Sequence, residues 1–272
     1  MKQKEMTERD ALPHYEVYAL RYATMTRQIS HSFMISDEHD GVIDMHFYVW
    51  LIRHGDRVVL VDTGFGQRSA TARQRPLECC PIQALSQLGI EPGQVNDVIL
   101  THLHWDHAGN LDKLPNACFH LQDEEAAFAT GRCMCLPTLR RAFAAEDICD
   151  FIRRLYEDRV MFHAGDATLL PGLELLHIGG HTRGLQAVRV HTARGWVVLA
   201  SDAAHYYANA VRENPFPVVI DVAQMLAGHR RLLALAGSVD HFIPGHDPAV
   251  LDRYPLLPGA PHPVAILHHA PH

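Results

Sequence analysis

The sequence predicts an α/β fold in which two β-sheets pack face to face and helices cover the outside. Two observations predict it: short apolar runs that end in turns fill both the first and the last part of the chain, and a helix-forming stretch separates them. A chain of 272 residues, 47% of them hydrophobic and 20% charged, can bury one large layered core. We therefore expect a single domain over residues 1–272, built as a sandwich and not as a barrel.

Strands dominate the first half of the chain. We expect them at residues 15–22, 45–53, 57–61, 97–100 and 117–121. The strand at 57–61 ends in Asp62-Thr63-Gly64, a glycine turn that suits the end of a buried strand. A helix is expected at 81–88, because its apolar residues have helical spacing and Gly89 is a fitting C-cap.

The middle of the chain is predicted to be helical. A helix should open at Gln122-Asp123-Glu124-Glu125, since carboxylates are favourable at a helix N-terminus. One or two amphipathic helices should follow within residues 136–160, where apolar residues recur at spacings of three and four: Leu139, Phe143, Ile148, Phe151, Ile152 and Leu155. We expect them to form a cap insertion at about residues 130–165 that covers the functional site.

Strands return in the second half of the chain. They are expected at residues 173–178, 185–190 and 196–200, where short apolar runs alternate with turns. The last residues place His262, His268, His269 and His272 among prolines and alanines. We expect this tail to be solvated or loosely ordered.

The charge pattern narrows the range of partners. The net charge is −7 at pH 7 and no run of Lys or Arg is longer than two residues, which argues against a nucleic-acid partner. Residues 1–10 are charged, and no segment approaches the ~20 apolar residues of a membrane span, so we expect a cytoplasmic protein without membrane attachment. The six cysteines have irregular spacings and are expected to be free thiols.

Three imidazoles and one carboxylate stand within six consecutive positions after the predicted strand 97–100. They are His102, His104, Asp106 and His107. Imidazole nitrogen and carboxylate oxygen are the ligands of catalytic zinc sites. His102 and His104 are two apart on an extended backbone, so they point the same way and can share one ion. Asp106 and His107 follow after the chain has turned and can hold a second ion beside it.

Two plainer interpretations stay open at this point. The chain contains 21 His, so single histidines carry little information, and the run could be an exposed His-rich loop. It could also be a structural zinc clip, although six or seven ligands for two ions leave positions open to water, which structural sites avoid. Packing alone does not require the pattern H-x-H-x-D-H, and we therefore favour a metal centre.

Three further polar residues follow apolar runs in the same way. His181 comes after Gly179-Gly180, Asp202 follows the apolar run 197–200, and His246 comes after Pro244-Gly245. Taken singly, each could equally be a turn histidine or a helix-capping aspartate. Together with the first motif they complete a set of metal ligands.

The ordered series of these motifs resembles the metallo-β-lactamase superfamily. The series covers about residues 45–250 and consists of Asp62-Thr63-Gly64, His102-x-His104-x-Asp106-His107, Gly180-His181-Thr182, Ser201-Asp202 and Pro244-Gly245-His246-Asp247. Within the superfamily the chain is most similar to the N-acyl homoserine lactonases. The segments that carry this closer similarity are 15–22, 47–50, Gln122-x-x-Glu125 and 201–207.

The resemblance implies an αββα sandwich with two Zn²⁺ per chain, and other divalent metals suit the same ligands. The implied ligands form two sets that share one bridging carboxylate: His102, His104 and His181 for one ion, Asp106, His107 and His246 for the other, and Asp202 for both. Asp62 would accept a hydrogen bond from a ligand imidazole and orient it.

A dinuclear centre of this kind implies a hydrolase that acts on esters. Water held between two cations is acidified towards neutrality, so that a bridging hydroxide can attack a lactone carbonyl while the metals stabilise the oxyanion. Asp106 and Asp202 would serve catalysis as well as binding, and Asp202 or a nearby donor would return a proton to the leaving alkoxide.

One departure from the lactonases concerns a proton donor. Their Asp-x-x-Tyr arrangement is replaced here by Asp202-Ala203-Ala204-His205, and Tyr206 and Tyr207 follow one and two positions later. His205 can donate a hydrogen bond in place of the phenol, and Tyr206 is the second candidate. A shift of one residue changes the direction of a side chain, so the sequence leaves the choice open.

The resemblance also implies a substrate and an assembly. The substrate would be an N-acyl homoserine lactone or a similar small lactone, with quorum quenching as the role, and the chain would pair into a homodimer through its N-terminal segment. Two alternatives use nearly the same ligands: a thioesterase of the glyoxalase II type and a mononuclear-iron sulfur dioxygenase. Two equivalents of zinc per chain would favour the hydrolase, and one iron with thiol-dependent oxygen uptake would favour the dioxygenase.

Overall fold

The computed structural model describes residues 12–37 and 39–272 and contains two mixed β-sheets. Their strands are β1 (Glu16–Gln28), β2 (Val42–His54), β3 (Arg57–Val61), β4 (Asp97–Ile99), β5 (Cys118–Gln122), β6 (Val160–His163), β7 (Ala167–Leu170), β8 (Leu173–His177), β9 (Gln186–Thr192), β10 (Gly195–Ser201), β11 (Phe242–Pro244) and β12 (Val264–Ile266). The first sheet has the order β12-β1-β2-β3-β4-β5-β6, and the second has the order β11-β10-β9-β8-β7.

Helices connect the strands and flank the sheets. The α-helices of the described residues are α1 (Gln67–Arg73), α2 (Asp123–Thr130), α3 (Pro137–Arg140), α4 (Ala145–Tyr156), α5 (Tyr207–Val211), α6 (Val222–Ala236) and α7 (Ala249–Arg253). In the first sheet β3, β4, β5 and β6 run parallel to one another, so their carboxyl ends meet at one edge.

Alternation along β3 shows how the first sheet is covered on both faces. Val58 and Leu60 pack into a buried cluster that also contains Phe128 of α2. Val59 and Val61 point the opposite way, into the cluster between the two sheets. Successive side chains of a strand leave opposite faces, so an apolar run such as this one fits a strand buried on both sides.

The second sheet is built in the same way. Val197 and Leu199 of β10 pack between the sheets, whereas Val198 and Ala200 pack on the outer face with Leu232 of α6. The layers are therefore helix, sheet, sheet and helix. The predicted αββα sandwich of two mixed sheets flanked by helices is confirmed.

The helices in the middle of the chain end earlier than the sequence predicts. The predicted helix 81–88 is a 3₁₀ helix, Gln83–Leu88, which ends at Gly89 with a left-handed φ of 70°. Residues 136–160 hold α3 and α4, but the helical part stops at Tyr156, and Asp158 has a left-handed φ of 57°. The chain then enters β6, which pairs in parallel with β5. The helical part of the middle of the chain therefore ends before residue 160, and the cap insertion at about 130–165 and the single domain stay predictions.

The expectation of a loosely ordered C-terminal tail is wrong for its first part. β12 pairs antiparallel with β1, with Leu20 opposite Val264. The Val17 amide then donates a hydrogen bond to Nδ1 of His268 at 3.0 Å. The tail therefore adds a strand to the edge of the first sheet, and this strand provides hydrogen-bond partners for backbone groups of β1.

Two sequence-based expectations about the whole chain can be compared with the structure. All six cysteines are free thiols, as predicted. Among the described residues, the longer helices lack the continuous apolar length that a bilayer crossing needs.

A buried carboxylate in α4 gives a prediction for stability. Asp147 is 9% exposed, its Oδ2 lacks a hydrogen-bond partner among the described residues, and burial raises its pKa to about 6 from 3.8. The folded chain therefore holds this proton more tightly than the unfolded chain, and the folded state loses stability as the pH rises from about 4 through 6. We expect Asp147→Asn to stabilise the protein by roughly 2 kcal/mol at pH 8 and by much less at pH 4.

Thermal melts at the two pH values measure this difference. The matched control is Glu146→Gln, which changes an exposed carboxylate in the same helical turn and should leave the pH dependence nearly unchanged. An equal gain of stability for Asp147→Asn at both pH values would contradict the prediction.

Candidate metal centre

Four strand ends deliver the predicted ligands to one edge of the sandwich. The loop after β4 carries His102, His104, Asp106 and His107, and it turns sharply because the amides of His107 and Ala108 both donate to the His104 carbonyl, at 3.0 and 3.1 Å. The other three ligands follow β8, β10 and β11: His181, Asp202 and His246. Burial is nearly complete for all seven except Asp106, which is half-buried.

The side chains gather into the two sets that the resemblance implied. Ligand atoms of His102, His104, His181 and Asp202 all lie within 4.8 Å of one another. Ligand atoms of Asp106, His107 and His246 form a second group with the same limit. A third group consists of Asp202, His205 and His246.

Asp202 lies between the two sets and turns one oxygen to each. Its Oδ2 is 3.1 Å from Nε2 of His181 and 3.8 Å from Nε2 of His102. Its Oδ1 is 3.0 Å from Nε2 of His246 and 3.3 Å from Nε2 of His107. This is the arrangement that a carboxylate needs in order to bridge two cations.

Buried atoms without partners show that the residues fit metal ions. Nε2 of His102, His107 and His246, and Oδ1 of Asp202, are buried and form no hydrogen bond within the described residues. Buried polar atoms without partners are rare and costly in proteins. Lone pairs of imidazole and carboxylate converging on common points are satisfied by divalent cations such as Zn²⁺.

Hydrogen bonds at Nδ1 fix the orientation of three of the predicted imidazole ligands. Nδ1 of His107 donates to Asp62 Oδ2 at 2.7 Å, Nδ1 of His181 to the Val218 carbonyl at 2.6 Å, and Nδ1 of His246 to the His46 carbonyl at 2.8 Å. Acceptors at Nδ1 fix the tautomer that leaves the Nε2 lone pair available. Asp62 thus accepts a hydrogen bond from the imidazole of a predicted ligand, as the resemblance implied.

Electrostatics keeps three of the predicted ligands in states that suit metal binding: His102, His104 and Asp202. Burial lowers the pKa of His102 and His104 well below the usual range, so these imidazoles are neutral. Burial alone would raise the pKa of Asp202, yet the imidazoles around it, with His205 and His107 foremost, hold it well below 3.8. Asp202 is therefore a carboxylate at neutral pH. At His107 burial would lower the pKa, but the carboxylates of Asp202 and Asp62 raise it well above 6.5, so a metal ion would displace a proton there.

Glu125 is a positioning residue whose function the sequence did not reveal. It is fully buried, and its Oε1 accepts the Leu103 amide at 2.9 Å while its Oε2 accepts the Gly184 amide at 3.0 Å. One side chain therefore ties the loop of His104 to the loop that follows His181. Position 184 must be glycine in this packing, since a Cβ would overlap the Glu125 backbone.

The structure separates the two candidates for a proton donor. His205 is buried, lines the cavity, and places Nε2 3.1 Å from Oδ2 of Asp202, while its ring stacks on Phe216 at 3.6 Å. Tyr206 packs instead against Phe33, outside the cavity lining. The catalytic role expected for Tyr206 finds no support, because consecutive side chains diverge.

A cavity of about 360 Å³ opens directly over these ligands. His104, Asp106, His181, Asp202 and His205 form its floor. Its walls combine apolar and cationic residues: Met25, Met45, Phe47, Trp105, Phe216 and Val218, together with Arg27, Arg73, Arg75 and Arg141. Met134 and Leu136, which belong to the predicted cap, do not line this cavity.

Comparisons with known proteins agree with this architecture. The family model of the metallo-beta-lactamase superfamily matches residues 48–253. An N-acyl homoserine lactonase of Bacillus sp is 25% identical over 206 residues, which are 69% of this chain and 76% of that protein. The N-acyl homoserine lactonase AiiB of Agrobacterium fabrum is 30% identical over 190 residues, which are 62% of this chain and 66% of that protein.

A solved structure supports the fold independently. The crystal structure of a quorum-quenching N-acyl homoserine lactone lactonase superposes with a TM-score of 0.73 at 23% identity, over 88% of this chain and 94% of the other. This likeness shows the fold. Because the family match also extends over more than half of the sequence, the chain belongs to the metallo-β-lactamase superfamily.

Proposed function

We propose that the chain is a metal-dependent hydrolase that opens the ester bond of a lactone at a centre of two divalent ions, most simply two Zn²⁺. The observation that carries the proposal is the position of Asp202, whose two oxygens face two separate sets of buried imidazoles. The lactonase relatives support the choice of a lactone, and an N-acyl homoserine lactone is the first candidate.

The proposed ligand assignment follows the two observed groups. His102, His104 and His181 would hold one ion, Asp106, His107 and His246 the other, and Asp202 both. Two ions held there would lower the pKa of bound water and polarise the ester carbonyl. His102 and His104 contribute neutral imidazoles, and the burial of Asp202 places its charge in surroundings that screen it poorly.

Lactone hydrolysis adds one water across the ring ester. A bond forms between the water oxygen and the carbonyl carbon, the bond from that carbon to the ring oxygen breaks, and the ring oxygen takes a proton, so that a hydroxy acid is released. Burial lowers the pKa of His205 to about 3, and this neutral imidazole holds one ring proton. With that proton on Nε2, which lies 3.1 Å from Asp202 Oδ2, His205 would donate a hydrogen bond to the leaving oxygen.

Variants of His205 test this contribution. We expect His205→Ala to lower kcat about 100-fold while the metal content stays the same, and we expect His205→Tyr to recover part of the loss through its phenol. The matched control is Tyr206→Phe, which removes a phenol outside the cavity and should retain full kcat. Unchanged kcat in the Ala variant, or loss of metal from it, would contradict a role in hydrogen bonding to the substrate.

A substrate panel with the metal-loaded protein tests the proposed function itself. Zinc-loaded chain is assayed against N-acyl homoserine lactones, simple lactones, thioesters and β-lactams, and kcat/KM is compared together with metal equivalents per chain. We expect two equivalents and the highest kcat/KM for a lactone, with activity lost on chelation and restored by added metal. Preference for thioesters, or one iron with thiol-dependent oxygen uptake, would overturn the proposal. The predicted homodimer is tested separately by light scattering.

A further inference from the structure

Four arginines line the cavity over the metal centre, although the chain as a whole has a net charge of −7. They are Arg27 of β1, Arg73 of α1, Arg75 just after α1, and Arg141 directly after α3. Three separate parts of the fold therefore bring guanidinium groups to one opening. Within the described residues, no carboxylate lies within 4 Å of any of the four guanidiniums, whereas other arginines, such as Arg53 and Arg230, are paired.

Two of these side chains are held in fixed positions. Arg27 donates through Nη2 to the His31 carbonyl at 2.7 Å and lies 4.8 Å over the ring of Phe216. Arg73 donates through Nη2 to the Phe143 carbonyl at 3.0 Å and lies 4.7 Å over the ring of Trp105. A guanidinium has five N–H donors, so each retains donors for a ligand while its aromatic contact fixes its orientation.

The remaining two arginines have little protein contact at their charged ends. Arg141 is exposed, and Arg75 reaches only the neighbouring Gln74 carbonyl, at 3.4 Å. Arg27 and Arg75 also line a second groove of about 480 Å³, which shares Met25 with the main cavity. The two arginines thus present their charge to both the cavity and the groove.

The guanidinium groups repel one another, and a bound anion would offset this repulsion. Burial lowers the pKa of Arg27, and Arg75 and Arg141 lower it further; burial and Arg75 do the same to Arg73. Asp106 opposes this repulsion at both arginines, and Asp147 also does so at Arg73. Asp106 belongs to the proposed metal ligands, so a bound cation would engage its charge, and an incoming anion would replace it beside Arg27 and Arg73.

We propose that the substrate of this site is anionic: a lactone that carries a carboxylate or phosphate group on a tether away from the ester that is cleaved. The planar guanidinium binds both oxyanions through paired N–H donors. Apolar side chains such as Met25, Met45 and Phe47 line the same cavity as the arginines, which suits a hydrocarbon tether. This inference rests on the proposed lactonase function and narrows its substrate class to anionic lactones, which sets the neutral N-acyl homoserine lactones in second place.

Matched substrates test the charge preference. γ-Butyrolactones are prepared with tethers of one to six carbons that end in a carboxylate, a phosphate or a neutral carboxamide, and kcat/KM is measured with zinc-loaded protein. We expect the best anion to exceed the carboxamide of equal length by about tenfold or more, with an advantage that shrinks as salt is added. Comparison of the carboxylate and phosphate series identifies which oxyanion the site prefers.

Arginine variants then locate the effect. We expect Arg75→Gln combined with Arg141→Gln to bring the ratio of kcat/KM for anion and carboxamide towards one, mainly through KM for the anion. The control is Arg140→Gln, which removes the neighbouring guanidinium outside the cavity lining and should leave the ratio as it is. These two variants remove few protein contacts, and circular dichroism verifies their folding.

The outcomes separate this inference from the proposed function. Lactone turnover with a ratio near one, or a ratio unaffected by the double variant, overturns the anionic substrate and leaves the lactonase standing. If no lactone is turned over, the proposed function fails, and calorimetric titration with adipate against adipamide decides anion recognition on its own. Equal binding of the two, or binding of adipate that survives the double variant, would then overturn it.

Discussion

We expect Asp202→Asn to lower kcat/KM for a lactone about a thousandfold, the largest loss of activity from a single isosteric change in this chain. Asparagine keeps the shape and size of the side chain but replaces one carboxylate oxygen by a donor and removes the charge. The variant therefore tests the charge and the bridging position of Asp202, with little change in packing.

The geometry explains the size of the expected effect. The two oxygens of Asp202 lie within 3.8 Å of five imidazoles, those of His102, His107, His181, His205 and His246. Asp202 is 3% exposed, so its negative charge acts in a medium that screens it poorly. An amide at this position offers one oxygen, and its N–H donors face imidazole nitrogens. Both sets therefore lose the negative charge of Asp202, and one of them loses an oxygen ligand.

Metal content and kinetics together check the result. We expect the Asn variant to retain its fold by circular dichroism and to hold fewer than two metal equivalents after dialysis. Asp112→Asn, an exposed change in the neighbouring 3₁₀ helix, serves as the control and should retain both metal and activity. Full activity with two bound metals in Asp202→Asn would show that the carboxylate does not bridge.

The layered fold and the convergence of the predicted ligands were accessible from the sequence because four of these residues follow short apolar strands. His102, His181, Asp202 and His246 stand after β4, β8, β10 and β11, and a strand end limits where its next residues can point. Spacing also divided the first motif between two ions, since the two-residue period of a strand is set by backbone geometry. The assignment of His181, Asp202 and His246 to these ions, however, came from the resemblance.

Features that depend on contacts between distant segments were not accessible. The sequence does not show that Glu125 joins the amides of Leu103 and Gly184, because hydrogen bonds over separations of 22 and 59 residues leave no local pattern. The arginines at the cavity stand at scattered positions and form no charge run.

Two local features also differ from the sequence prediction. No helix is predicted over Val222–Ala236, where α6 lies, because its apolar repeat stands among apolar runs that predict strands. Tyr206 could not be separated from His205, since only the backbone direction at α5 decides which ring enters the cavity.

Asp62 shows how the strand ends are held together, and its loss should have the largest effect on stability. It is fully buried and accepts three hydrogen bonds: from the Thr101 amide at 2.7 Å, from Thr101 Oγ1 at 2.8 Å and from His107 Nδ1 at 2.7 Å. Thr101 Oγ1 also lies 2.8 Å from Ser201 Oγ. Asp62 therefore connects the ends of β3 and β4 directly and, through Thr101, the end of β10. Of these strands, β4 and β10 lead to predicted metal ligands.

We expect Asp62→Ala to destabilise the metal-free protein by about 3–4 kcal/mol, because it leaves buried donors of Thr101 and His107 without an acceptor. Position 62 also has a left-handed φ of 59°, which alanine adopts at some cost. Urea unfolding of the metal-free chain measures the loss, and titration with zinc should show affinity weaker by about 10- to 100-fold, since His107 is no longer oriented.

Two further substitutions divide the effect into its parts. Asp62→Gly removes the same acceptor but tolerates the positive φ, so the difference between Gly and Ala should be about 1 kcal/mol and reports the backbone strain. Asp56→Ala, an exposed change in the turn between β2 and β3, should alter stability by less than about 0.5 kcal/mol. If Asp62→Ala unfolds at the same urea concentration as the parent chain, the network of Asp62, Thr101 and His107 does not stabilise the fold, and Asp62 cannot be what aligns the ends of the three strands.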